Sequence, residues 1–241
     1  MGPINMMRRF SRFAAGLVFA VIALGPVVAQ AGDRLVVLEL FTSQGCDRCP
    51  PVDALVRELA TRDDVLPLAL HVDYWDYMGW ADSFALAHHK VRQMAYAPRT
   101  DRGRLFTPLL MVGGLDPVEG YTPMRVVDLI EKHRGVDSGV TLEMTVQGDM
   151  VHLVGLAAHP FGQTARVVMV QFRPQATVEI TRGQNAGQTV TYTNVVTGWH
   201  DLGRWDGHAP LAVDMPRADE AGAVLVQSAD HGLILAAARL P

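Results

Sequence analysis

Runs of apolar residues assign most elements before any single residue is considered. Residues 35–41 form an apolar run broken only by Glu39, the pattern of a buried strand. Behind Pro50-Pro51, which suit a helix start, Val52, Leu55, Val56 and Leu59 recur at helical spacing. Residues 65–72 repeat the buried-strand pattern and complete a right-handed βαβ unit with parallel strands. A second helix is expected over 82–97, with Asp82 as N-cap and Phe84, Leu86, Val91 and Met94 in its apolar stripe. A strand over 105–112, the turn signal Gly113-Gly114 and a short return strand over 116–120 follow. A third helix over 124–133 begins behind Pro123 and stops before Gly135.

After residue 135 the helical period disappears. Short strand-like segments, punctuated by Gly, Asn, Asp and Pro, start at residues 140, 151, 166, 177, 189, 211, 223 and 233. The order β-α-β-α-β-β-α followed by strands alone predicts an α/β domain over residues 32–136. A β-sandwich-like domain over residues 137–241 would follow it.

The first 31 residues read differently. Arg8, Arg9 and Arg12 precede an apolar run over 13–24, and Ala29-Gln30-Ala31 follows. That is the layout of a secretory signal peptide cleaved after about Ala31. The run is shorter than the roughly 20 residues a membrane-spanning helix needs, so no stable membrane anchor is expected after cleavage. Cleavage removes three Arg and no acid and takes the formal charge from −4 to −7. That balance speaks against nucleic acid as a partner. Export to the periplasm or beyond places the chain in an oxidising compartment.

Against that background the two cysteines stand out. Both lie in one Cys46-Asp47-Arg48-Cys49 motif, between the first strand and the first helix. A disulfide closing so small a loop adds little chain-entropy stabilisation. A helix N-terminus stabilises a thiolate, and a C-x-x-C at a strand-loop-helix start is a redox signature. Cys46, first in the motif and nearest the helix N-terminus, is the expected nucleophile, and Cys49, one turn into the helix and more buried, the resolving thiol. Glu39, buried in the preceding strand, is a candidate proton acceptor for Cys49; the alternative is a half-exposed edge position. His71, Asp73, Tyr74, Trp75 and Trp80 follow the C-terminal end of the second strand, where ligands collect in open α/β sheets. They are candidate substrate-binding residues, or else a packed loop cap around a core histidine.

Several segments together carry a family resemblance: LELFTSQGCDRCPPVDAL, HVDYWDYMGW, Thr107-Pro108 before a strand, RGQNAGQT and TNVV. They resemble, in order, a family of exported bacterial proteins of unknown function that is placed among thioredoxin-like folds. The resemblance implies a thioredoxin-like N-terminal domain and a redox-capable Cys46/Cys49 pair. It also implies that Pro108 is a cis-proline facing that pair, with Thr107 exposing backbone to an incoming chain. The family commonly has Ser between the cysteines, where this chain has Asp47-Arg48, and Glu where this chain has Gln184.

Three functions compete at this level. The first is an exported thiol–disulfide oxidoreductase acting on protein or small thiols without a bound cofactor. The second is a non-catalytic binding module with a fixed disulfide. The third is a copper(I)-handling protein using both thiolates with His71 or a methionine.

Overall fold

A computed structural model describes residues 1–2 and 34–241. The expected leader from residue 3 onward, and its cleavage position after Ala31, lie outside the described residues. Among the described residues no helix is long and apolar enough to cross a membrane.

The first half follows the apolar runs closely. Strand β1 (Val36–Thr42) leads to helix α1 (Pro50–Leu59) and parallel strand β2 (Val65–His71). Helix α2 (Ala87–Tyr96), hairpin β3 (Leu109–Val112) and β4 (Asp116–Glu119), and helix α3 (Pro123–Arg134) complete it. Both β1 and β2 are buried at every position, because helices cover one face and further chain covers the other. Alternation splits β1 cleanly. Leu38 and Leu40 pack with Val52, Val56 and Leu129 on one face, while Val37 and Phe41 pack with Tyr96 on the other.

Helix α2 departs from expectation. It starts at Ala87, not Asp82, and its buried residues are His89, Arg92, Gln93 and Tyr96. Val91 and Met94, expected in the apolar stripe, are 65% and 55% exposed. The polar stripe is inward because Glu39 of β1 waits there: Arg92 forks onto its carboxylate and the Tyr96 hydroxyl donates to it.

The second half overturns the expected fold class. Strands β5 (Val140–Gln147) and β6 (Met150–Ala157) pair with β9 (Leu211–Pro216) in a three-stranded sheet. The long strands β7 (Ala165–Ile180) and β8 (Gln188–Trp205), with β10 (Gly222–Gln227) and β11 (Ile234–Arg239), join the first half. Together they make one mixed eight-stranded sheet, ordered β11-β10-β7-β8-β2-β1-β3-β4. The chain is therefore not a thioredoxin-like α/β domain followed by a β-sandwich. It is a mostly β protein with one large sheet running across residue 136. The cause is the free edge of β2, which β8 takes up in parallel at Ala69 and Val195; Asn194 fixes the junction by donating its amide to Pro67 O at 2.8 Å. Segments 166–172 and 177–181, expected as two strands, are one strand whose ladder to β8 is interrupted by register shifts.

Candidate functional site

Where β1 ends, residues 43–49 loop from the end of this interior strand into α1. Cys46 and Cys49 are joined by a disulfide, and both residues are 0% exposed. Cys49 is the N-cap of α1, with Val52 N–H and Asp53 N–H donating to its carbonyl at 2.9 and 3.0 Å. It is thus Cys49, and not Cys46 as the sequence suggested, that lies nearest the helix N-terminus.

Three side chains from two distant segments pin this loop. Asp82 Oδ2 accepts the Gln44 N–H at 2.7 Å, and the Trp80 indole N–H donates to Gln44 Oε1 at 2.7 Å. The Asn185 amide, at the tip of the β7–β8 hairpin, donates to Gln44 O and Cys46 O, each at 2.9 Å. Two glycines permit the close packing. A Cβ on Gly45 would lie 3.0 Å from the Trp75 Cβ, and one on Gly183 would lie 3.1 Å from the Trp80 Cβ. Gly183 also holds a φ of +80°, which side chains disfavour.

Beneath the loop lies a buried polar cluster on the α1 face. Thr42 donates to Asp53 Oδ1 at 2.9 Å. His71, paired in register with Thr42, holds Asp82 Oδ2 with its Nδ1 at 2.8 Å and packs against the Tyr192 ring. Burial pushes the Asp53 carboxyl up to about 7, against the pull of His71 and the Thr42 hydrogen bond, with Asp82 adding to the rise. Side chains in a helix lean toward its N-terminus, so Asp53, four residues on, leans toward Cys49.

The expected site residues divide. Trp75 bridges the cysteine loop to Thr107, donating its indole N–H to Thr107 Oγ1 at 2.7 Å, and Trp80 latches the loop itself. The Thr107–Pro108 bond is cis, and both residues line a recess of about 370 Å³ beside the motif, with Asp47, Arg48 and Pro51. His71 lies fully buried under the loop. Tyr74 turns toward α2, donating to Gln93 Oε1 at 3.3 Å, and burial raises its hydroxyl to about 12. Asp73 is exposed and its carboxylate joins none of these contacts. Glu39 is buried as expected, but it faces α2, where Arg92 and Tyr96 already occupy its carboxylate. It is not the acid beside the cysteines.

The buried acid of α1, one turn past Cys49, is Asp53, and it was overlooked in the sequence although it interrupts the apolar stripe of α1 directly after Val52. Asn185 sits in the RGQNAGQT segment, which the family match had marked as more than a turn, and the structure lays that turn across the cysteine loop. Asp82 was read as a helix cap; it binds His71 and the loop instead. Among the described residues no group of three or more His, Cys, Asp or Glu is placed to hold a metal ion. A larger cavity of about 500 Å³ lies between the end of α3, β5 and β11, and its walls carry neither Cys nor His.

A strand, a pinned loop and a helix that carry a buried Cys-x-x-Cys disulfide on a mixed eight-stranded sheet define the class of protein. The chain belongs to the family described as protein of unknown function (DUF1223), which matches residues 37–229. No curated protein matches it. It is similar to a protein from Agrobacterium tumefaciens known from an X-ray crystal structure. The two are 31% identical with a TM-score of 0.74, over 87% of this chain and 96% of that one. HBP35 of Porphyromonas gingivalis has a similar fold, with 16% identity and a TM-score of 0.59 over 86% of this chain and 74% of that one.

Proposed function

We propose that the protein is an exported thiol–disulfide oxidoreductase that exchanges the Cys46–Cys49 disulfide with protein or small thiols. The observation that carries this reading is the stacking of three features in one helical turn: a disulfide, a helix N-terminus and a buried acid with a proton affinity near neutrality. An incoming thiolate attacks Cys46 Sγ, the S–S bond breaks, and its electron pair leaves on Cys49. The helix N-terminus favours that thiolate. In this scheme Asp53, one turn past Cys49 and protonated below pH about 7, returns a proton to it. A second thiolate attacks the mixed disulfide and leaves the protein as the dithiol. The leader-like first 31 residues support action outside the cytoplasm.

One observation favours a second reading, a binding module with a permanent disulfide: both cysteines are fully buried under a pinned loop. The reduction potential separates the two. Equilibration in glutathione buffers with thiol trapping is expected to give a value between about −120 and −270 mV, the range of working oxidoreductases. A value below about −300 mV, typical of structural disulfides, overturns the exchange reading.

A further inference from the structure

Resting on the exchange reading, we propose that the thiol this site takes is a low-molecular-mass thiol carrying a carboxylate, not the cysteine of a folded protein.

The first argument is access. Cys46 and Cys49 are 0% exposed, and the loop holding them is tied to Asp82, Trp80 and Asn185. A cysteine on a protein surface brings its own backbone with it and would have to displace all three ties. The opening beside the motif is the recess of about 370 Å³, walled by Asp47, Arg48 and Pro51 on one side and Phe106, Pro108 and Tyr121 on the other. That volume lies at the small end of ligand sites. The walls include Asp47 and Arg48 but neither cysteine, so exchange needs this short segment to shift, and a slim thiol asks for the smallest shift.

The second argument is charge. Two guanidiniums line the recess, Arg48 and Arg102. Arg102 is already engaged, stacked 4.6 Å over the Phe106 ring and paired with Glu119 at 2.9 Å. Arg48 has no carboxylate within ion-pair distance among the described residues. Asp47 is the single acid on the walls. A guanidinium fork suits a carboxylate, and the Pro51, Pro108 and Phe106 walls suit a short carbon chain. A cationic thiol meets both guanidiniums. The step is balanced: two thiols give up two electrons and two protons and join as a disulfide, while Cys46 and Cys49 become thiols.

The test measures the rate of disulfide opening in the full chain by thiol trapping, per unit of thiolate, since thiols differ in pKa. The reductants are 3-mercaptopropionate, 2-mercaptoethanol, cysteamine and a reduced, folded thiol protein. The expected order is that sequence, fastest first, with mercaptopropionate about tenfold ahead of mercaptoethanol. Arg48→Gln should collapse that ratio toward one, and Arg48→Lys should restore part of it. Equal rates for the three small thiols, or a protein thiol ahead of them, overturn the inference. If no thiol opens the pair, dithiothreitol included, the exchange reading itself falls and takes this inference with it.

Discussion

The two faces of β1 differ most at the middle of the strand, where one buries leucines and the other a charge. Toward α1, Leu38 and Leu40 meet Val52, Val56 and Leu129, carbon on carbon until the end of the strand, where Thr42 donates to Asp53. Toward α2, Glu39 meets Arg92, Tyr96 and, beyond them, Gln227, which accepts from Arg92 at 2.9 Å; Arg92 also lies 4.5 Å over the Trp199 ring. The apolar face is stabilised by transfer from water and is tolerant of detail. The polar face holds only while every member is present, because each buried charge depends on its counterpart. Breaking each face in turn should therefore give different kinds of loss.

The largest effect is expected at Arg92. Arg92→Leu strands the Glu39 carboxylate in the interior and should cost about 3–5 kcal/mol, read as a lower urea midpoint at unchanged slope. Pairing it with Glu39→Leu removes both charges and should recover most of that loss. If the double variant is as unstable as the single one, the network is not what joins α2 to the sheet.

Next in size is a pair of opposed pH dependences. Asp53, on the α1 side, is raised from 3.8 to about 7, so the folded protein binds its proton more tightly than the unfolded chain does. Its contribution is fully present below pH about 4 and is lost as pH rises toward 7. His89, on α2, donates to His71 O at 2.9 Å and is lowered from 6.5 to about 3 by burial, with His88, His71 and Arg92 opposing its charge as well. The folded protein then refuses a proton that the unfolded chain accepts, so stability is lost as pH falls from about 6.5 toward 3. Each term is worth at most roughly 5 kcal/mol, at about 1.4 kcal/mol per pKa unit. In the native chain they largely cancel. Asp53→Asn, which keeps an oxygen for Thr42, should leave stability rising with pH between about 3 and 6.5. His89→Gln should leave it falling between about 4 and 7. Unfolding curves at several pH values check both, and parallel profiles for the two variants would remove the asymmetry.

What the sequence disclosed follows the same division. β1, α1, β2, the β3–β4 hairpin and α3 are short-range elements with clear periods and turn residues, and they lie close to where the pattern put them, although β3 begins only at Leu109 and not at Leu105. α2 misled because hydrophobic periodicity assumes that a helix buries its apolar face. Here the partner surface contains Glu39, and a charge elsewhere in the chain is invisible to a local period. The fold class failed for a related reason: the pairing of Ala69 with Val195 joins segments with no local signature of each other. At the site, the two cysteines were legible as a motif. Asp53 became meaningful only when folding set it beneath the loop, whereas Asn185 lies in a segment the family resemblance already marked.

The smallest expected effect is also the sharpest check on the α2 reading. By sequence, Val91 and Met94 belong to the buried stripe; in the structure they are 65% and 55% exposed. Buried apolar side chains cost about 2–5 kcal/mol each when cut back. Exposed ones away from special contacts change stability by no more than about 0.5 kcal/mol. Gln is a good helix former, so Val91→Gln with Met94→Gln isolates burial from helix propensity. The double variant is expected to unfold within about 0.5 kcal/mol of the native chain. A loss above about 2 kcal/mol would mean that this face is covered in solution, and the inverted stripe of α2 would then be one half of an amphipathic contact and not a polar anchor alone.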